Sequence, residues 1–196
     1  MKPDPLVAAC LPVLVHGMNN TTQLLSNLSA LLQLQGEQCE VESLAPDLGR
    51  ATGEVERSGY VLALLASASG AELMLARREA RGLEWMIDSL RKVLRRDGLD
   101  LADCETSIPD LHSASRDGWS AAWAVASCLL VAARAAAEAA LTWGFESLEV
   151  GHALTGSAGG SAVKALAGRL EERTGAGLEV QGEAWTLLLP AGWLGS

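Results

Sequence analysis

Residues 13–34 read VLVHGMNNTTQLLSNLSALLQL: one histidine, two asparagines shortly after it, then an almost unbroken leucine ladder. Leu11, Leu14, Met18, Thr21, Leu25, Leu28 and Leu32 step alternately by three and four, the seam of a helix packed in a bundle or coiled coil. His16 is off that seam. At about 100° per residue it lies roughly 200° from both Leu14 and Met18, on the face that also carries Asn20, Gln23 and Asn27. A solvent-facing imidazole on a rigid helix is a nucleophile at neutral pH, able to accept and donate a phosphoryl group. Most lone surface histidines do no chemistry, so this reading depends on the rest of the chain. Pro12 suits an opening turn and Gly36 a C-terminal stop, so the helix is expected from near Pro12 to near Gly36. Lys2 to Leu11 would add a turn or two, kinked at the proline.

The 196 residues can bury a real core, and 49% hydrophobic with 20% charged residues describes a folded chain. A net charge of −9 argues against nucleic acid or anionic membrane as partner, since both require basic surface. Cys10, Cys39, Cys104 and Cys128 have neither CxxC nor metal-ligand spacing, so reduced thiols in a cytoplasmic protein are expected. VAAC at 7–10 faintly resembles a lipoprotein cleavage box, but Asp4 and an apolar run that mostly follows the cysteine argue against a signal. The apolar run from Trp119 to Ala133 meets Arg134 and Glu138 before a full membrane span and reads as a buried helix.

After a polar link from Glu37 to Ala45, Pro46 and Asp47 are expected to open a second helix whose Leu48, Thr52, Val55, Gly59, Leu62 and Ala66 form its seam. Two seam-bearing helices on a short link make an antiparallel hairpin with half a core, so two copies are expected to complete a four-helix bundle as a homodimer. Ala71 to Gly82 reads as helical or linking. Leu83 to Arg96 is amphipathic, with Leu83, Met86, Ile87, Leu90, Val93 and Leu94 on one face. Its basic cluster Arg91, Lys92, Arg95 and Arg96 complements the helix end and reads as a solvated face. Asp97–Gly98 turns the chain and Leu99 to Thr106 is a candidate strand. Ile108 to Asp117 is a loop, with Asp117 as N-cap of an Ala-rich helix from Gly118 to Thr142. Phe145 to Val150 reads as a strand, Gly151 to Gly160 as a loop and Ser161 to Arg173 as a helix stopped by Gly175. Leu178 to Gln181 and Trp185 to Leu189 form a hairpin around Gly182–Glu183. The fold class is therefore α+β, with helices on one face of a largely antiparallel sheet in the second half.

This order of elements resembles a bacterial sensor histidine kinase core: a helical-hairpin dimerisation and phosphoacceptor domain (1–72), then an α/β-sandwich ATPase domain of the Bergerat type (73–196). His16 with Asn19–Asn20 resembles the phosphoacceptor box, H-D/E-x-N-N followed by leucines. DLGRATGEVERSGYVLALLAS (47–67) is similar to the second hairpin helix, and LEWMIDSLRKVLRRDGLDLADCE (83–105) to the opening helix and strand of the ATPase domain. SRDGWSAAWAVASCLLVAARAA (115–136) is similar to its nucleotide-box helix, and GGSAVKALAGRLEERTGAGLEVQGEAWTLLLPAG (159–192) to its closing helix, hairpin and terminal strand.

The departures matter as much as the likeness. Val131 and Ser127 stand where that nucleotide-box helix carries asparagines, and valine offers Mg²⁺ no oxygen. No D-x-G-x-G lies between Val150 and Gly159, and too few residues remain for an ATP lid. The glycines of SAGGSA (157–162) can hold phosphate through backbone N–H groups, although a helix-entry loop is glycine-rich for turn geometry alone. The resemblance thus implies a degenerate ATPase-like domain that binds no ATP, as in dimeric histidine phosphotransferases. His16 is then the phosphoacceptor between response-regulator receiver domains, which bring their own Mg²⁺, and the chain itself holds no cofactor. Asn20 supports the transfer, and Asn19 and Gln23 are further candidates for contact. Gly17 replaces the acid that usually follows the histidine. The alternative is a non-catalytic, pseudokinase-like dimeric scaffold that binds a receiver or sensor. A metabolic enzyme built on His112 or His152 lacks a recognisable triad.

Overall fold

The computed structural model describes residues 4–35, 41–68, 81–111, 116–136 and 141–194. The fold is α+β: long helices come first and a small four-stranded antiparallel sheet follows. The expected boundary at 72/73, the stretch from Ala71 to Ala80, His112 and Cys39 all lie outside the described residues.

α1 spans Pro5–Gln35 and α2 Val41–Ala68. Both start earlier than the prolines predicted. Asp4 caps α1: its Oδ1 accepts from the Leu6 N–H at 2.9 Å and its carbonyl from Ala8 N–H at 2.9 Å, with Pro5 in the first helical position. Pro12 and Pro46 therefore lie inside helices, each removing one main-chain bond. Packing explains why the helices persist: Leu6, Ala9 and Cys10 precede Pro12, and Leu44 precedes Pro46, all buried. Joined by a short connection and packed along each other, the two helices are antiparallel.

Only half of the expected α1 seam is internal. Leu14, Thr21 and Leu28, seven apart, are buried, whereas Leu11, Met18, Leu25 and Leu32, also seven apart, are 38–43% exposed. On α2 the buried residues seven apart are Leu44, Ala51, Ser58 and Leu65, with Tyr60, Val61, Ala63 and Leu64 also buried toward its end. The expected α2 seam is thus corrected: Leu48, Thr52, Val55 and Gly59 face outward, Val55 at 47% exposure. Small Ala51 and Ser58 let α2 approach α1 closely, and among the described residues the outward apolar set stays half-exposed.

α3, Gly82–Arg96, and α4, Arg116–Ala136, close the helical layer. All six apolar positions read for α3 are at most 1% exposed, each removal from water contributing about 1.5–3 kcal/mol. Tyr60 locks α2 to both helices, stacked on Trp119 at 5.4 Å and edge-on to Trp85 at 5.5 Å, and it lies so close to Gly82 that a Cβ there would strike its ring. Asp117 falls within the first turn of α4 instead of capping it, and Leu141 and Thr142 are not helical. Trp119–Ala136 is apolar and long enough to cross a membrane by composition, but 67% of it is buried inside the protein, as in a core helix.

β1 (Trp143–Ser147), β2 (His152–Gly156), β3 (Gly177–Gln181) and β4 (Ala184–Leu189) pair in the order β1-β2-β4-β3. The β3–β4 hairpin turns at Gly182–Glu183 as read, with Gly182 at φ +62°. β2 was read as loop. Its short, small-residue sequence hides a strand buried on both sides, with Leu154 opposite Phe145 and Leu187. Leu99 to Thr106 is not a strand. It runs beside β1 through Trp143 Nε1 to Ala102 O (2.8 Å), Glu105 N to Trp143 O (3.0 Å) and Phe145 N to Thr106 Oγ1 (2.7 Å), side chains taking bonds a ladder would use. The last helix divides into α5, Gly160–Lys164, and α6, Ala167–Thr174, before Gly175 at φ +67°. Helices α4, α5 and α6 cover the sheet.

Candidate functional site

The polar run Asn19, Asn20, Thr21, Thr22 is a poor helix former by composition; within α1 its hydroxyls bond back to carbonyls one turn earlier. Thr21 Oγ1 donates to Gly17 O at 3.1 Å, Thr22 Oγ1 to Met18 O at 2.9 Å and Ser26 Oγ to Thr22 O at 2.9 Å. His16 is exposed on this rigid stretch, and Asn20 Nδ2, one turn on, lies 3.2 Å from its Nε2. The direction of this contact follows the imidazole tautomer: with the proton on Nδ1, Nε2 accepts from the Asn20 amide and presents a lone pair with a hydrogen-bond donor beside it. Asn19 and Gln23 are exposed and lie off this pair and off the adjoining groove.

That groove, about 600 Å³, runs between α1, α2 and α3. His16, Gly17 and Asn20 form one wall above Val13, Leu14, Leu24 and Ala51; α2 adds Arg50, Glu54 and Arg57, and α3 adds Ser89, Lys92 and Arg96. Four cations therefore face one carboxylate in a chain of net charge −9. Lys92 Nζ lies 3.3 Å from Glu54 Oε1 and an Arg57 guanidinium nitrogen 3.8 Å from Oε2. Arg57 Nε is buried and has no acceptor among the described residues. Arg50 pairs at 3.1 Å with Asp47 and Arg96 at 3.6 Å with Asp97, carboxylates outside the groove lining. The Glu54 carboxylate reaches position 17, where a Cβ on Gly17 would stand 3.7 Å from Oε1.

Reading α3's basic cluster as a solvated face missed two of these residues. Arg95 fits that reading, 3.8 Å from Asp100, whereas Arg91 is only 20% exposed and lies 3.0 Å from Asp103, and Lys92 and Arg96 line the groove. The one available signal was their spacing with Ser89 along a single α3 face; their partner Glu54 is 38 residues away in sequence.

Elsewhere the residues considered for chemistry serve packing. The glycine loop does not present free donors at its helix entry: Gly159 N–H donates to Glu183 Oε2 at 3.1 Å and Gly160 N–H to Glu183 O at 2.9 Å. Gly159 has φ +79°, and a Cβ there would stand 2.7 Å from Ala132 Cα, so its role is close approach to α4. His152 is not a loop histidine. It is buried in β2 between Ser147 and Leu189. Val131 and Ser127 lie on α4, half-buried and buried. Cys10 and Cys128 are buried thiols that desolvation pushes up to about 12, poor nucleophiles at neutral pH. Among the described residues no group of three or more His, Cys, Asp or Glu is arranged to hold a metal ion. No family model matches the chain, and no curated protein matches it.

Proposed function

We propose that the chain is a histidine phosphotransfer protein of two-component or phosphorelay signalling, working between cytoplasmic receiver domains. The observation that carries this reading is the exposed His16 whose Nε2 lies 3.2 Å from the Asn20 amide nitrogen. Nε2 attacks the phosphorus of a receiver's aspartyl phosphate, the P–O bond to the aspartyl carboxylate breaks, and the carboxylate leaves as aspartate. The receiver's own Mg²⁺ neutralises the phosphoryl charge. The Asn20 amide then turns from Nε2 to a phosphoryl oxygen, and a second receiver's aspartate reverses the exchange. Glu54, beside Gly17, supplies a carboxylate from α2 in the neighbourhood where the resembled family carries one on α1.

The outward apolar set on α1 and α2 supports a homodimer in which two hairpins make a four-helix bundle. Asn20 lies about 160° around α1 from Met18, so such a bundle leaves His16 and the groove open to a docking receiver. The sheet with α4, α5 and α6 is read as the degenerate ATPase-like region; a glycine loop whose donors are taken by Glu183 and a valine at 131 support a domain without nucleotide.

A second reading, a dimeric scaffold that binds a receiver without exchanging phosphate, is favoured by Gly17, which leaves His16 without a neighbouring acid on its own helix. One experiment separates the two. Wild type and His16→Gln are incubated with a phosphorylated receiver and Mg²⁺ without ATP, and acid-labile, base-stable label is followed on this chain. Label on the wild type alone is the expected result; receiver binding by both proteins with label on neither supports the scaffold.

A further inference from the structure

We infer that the groove between α1, α2 and α3 is a binding site for a small phosphorylated molecule with an apolar body, a free ligand distinct from any receiver. Three independent features converge. The volume, about 600 Å³, is that of small-molecule sites, which run to roughly 300–1,000 Å³. The lining charge is opposite to that of the chain: Arg50, Arg57, Lys92 and Arg96 with Glu54, while Arg50 and Arg96 also pair with Asp47 and Asp97 outside the lining. A groove-lining side chain also carries an unmet donor, since Arg57 Nε is buried without an acceptor among the described residues, and its guanidinium end, 37% exposed as a side chain, is the part an anion can reach.

The placement of the cations narrows the ligand class. Lys92 and Arg57 approach the two different oxygens of Glu54, at 3.3 and 3.8 Å, so they converge on one small volume between α2 and α3. The 3.8 Å contact is too long for a hydrogen bond, leaving the Arg57 fork free to hold a second anion. A tetrahedral phosphoryl group, with several acceptor oxygens, answers Arg57 and Lys92 together and extends toward Arg96. The apolar floor then takes the ester group. Glu54 acts as an internal competitor that keeps the cations ordered when the site is empty. None of this requires His16 to react: the histidine lies on the wall, and binding is separate from transfer.

Pyrophosphate and phenyl phosphate, titrated calorimetrically into the full chain at low ionic strength, test the inference. Saturable binding is expected, with phenyl phosphate tighter than inorganic phosphate because its ring reaches the floor. Arg57→Gln and Lys92→Gln should each weaken binding about tenfold, the scale of one charge-assisted hydrogen bond. Glu54→Gln should tighten binding several-fold by removing the competitor. Arg95→Gln, off the groove, should leave it unchanged. Absence of saturable binding in the folded wild type, or equal binding by the wild type, Arg57→Gln and Lys92→Gln, overturns the site. So does weaker binding in Glu54→Gln. Binding is read by calorimetry without a receiver and phosphotransfer by label on this chain, so the failure of either reading is seen separately.

Discussion

Asp4 joins the beginning of α1 to two helices far away in sequence, and its removal is the sharpest test of how the hairpin is fixed to the rest of the chain. Its Oδ1 caps α1 through the Leu6 N–H, while its Oδ2 receives Trp123 Nε1 at 3.2 Å and the guanidinium groups of Arg169 and Arg173 at 2.9 Å each. Arg173 also lies 4.5 Å over the Trp123 ring. The carboxylate is 8% exposed, but Arg169 and Arg173 are 43% and 32% exposed, so solvent screens the ion pairs and reduces their worth. The pairs and the indole bond together are then worth about 1–2 kcal/mol, below the undiscounted ~1.5–3 kcal/mol of a single charged hydrogen bond. The cap adds about 1 kcal/mol. Asparagine caps as well as aspartate, but its amide nitrogen would face three donors. Asp4→Asn should therefore cost about 1–2 kcal/mol and Asp4→Ala about 2–3 kcal/mol. Urea unfolding at pH 7 reads both. An Asp4→Ala variant within about 0.5 kcal/mol of wild type, or one no less stable than Asp4→Asn, would refute this account of the junction.

Three further outcomes follow from the geometry. Gly159→Ala must adopt φ near +79° and press a Cβ on the α4 backbone at Ala132, so it should lose about 3 kcal/mol in the same unfolding assay; wild-type stability would mean the loop is free to move. Met18→Glu with Leu25→Glu puts charge on half-exposed positions and should cost a monomer less than about 1 kcal/mol in total while shifting light-scattering mass from dimer to monomer; a wild type that is monomeric at micromolar concentration removes the basis for the bundle. Asp97 ends α3, and the hydrogen bond from Arg134 at 2.6 Å holds its carboxyl below the ordinary aspartate range. A depressed carboxylate stabilises above its unfolded pKa and loses that contribution as pH falls through the folded value. The stability gap between wild type and Arg134→Gln should be full at neutral pH and close below the ordinary aspartate range. A gap unchanged between neutral pH and pH 3 would contradict it.

How much of this was legible depended on whether one chain alone decides burial. The apolar face of α3 was read correctly because its six positions share one face and one environment, and only the helix start, Gly82 instead of Leu83, differs. α1 carries two apolar sets on a common heptad, and periodicity cannot say which set the hairpin takes and which it leaves outward. On α2 the larger residues Leu48 and Val55 drew the eye, whereas close approach to α1 favoured Ala51 and Ser58. β2 escaped notice because glycine, threonine and alanine signal loop locally, and only pairing with β1 and β4 makes the strand. At the candidate site, His16 and Asn20 were visible as an i, i+4 pair on one helix. Glu54, Arg57, Lys92 and Arg96 were not, since no local spacing links α2 to α3.

The central claim is that His16 Nε2 carries phosphate. Phosphorus NMR of the full chain after exposure to a phosphorylated receiver tests it most directly. The account predicts a phosphoramidate resonance in the wild type, absent from His16→Gln, with nitrogen-15 coupling that assigns it to Nε2. A receiver that binds and loses its phosphate only to water, with no phosphoramidate on this chain, would contradict the account.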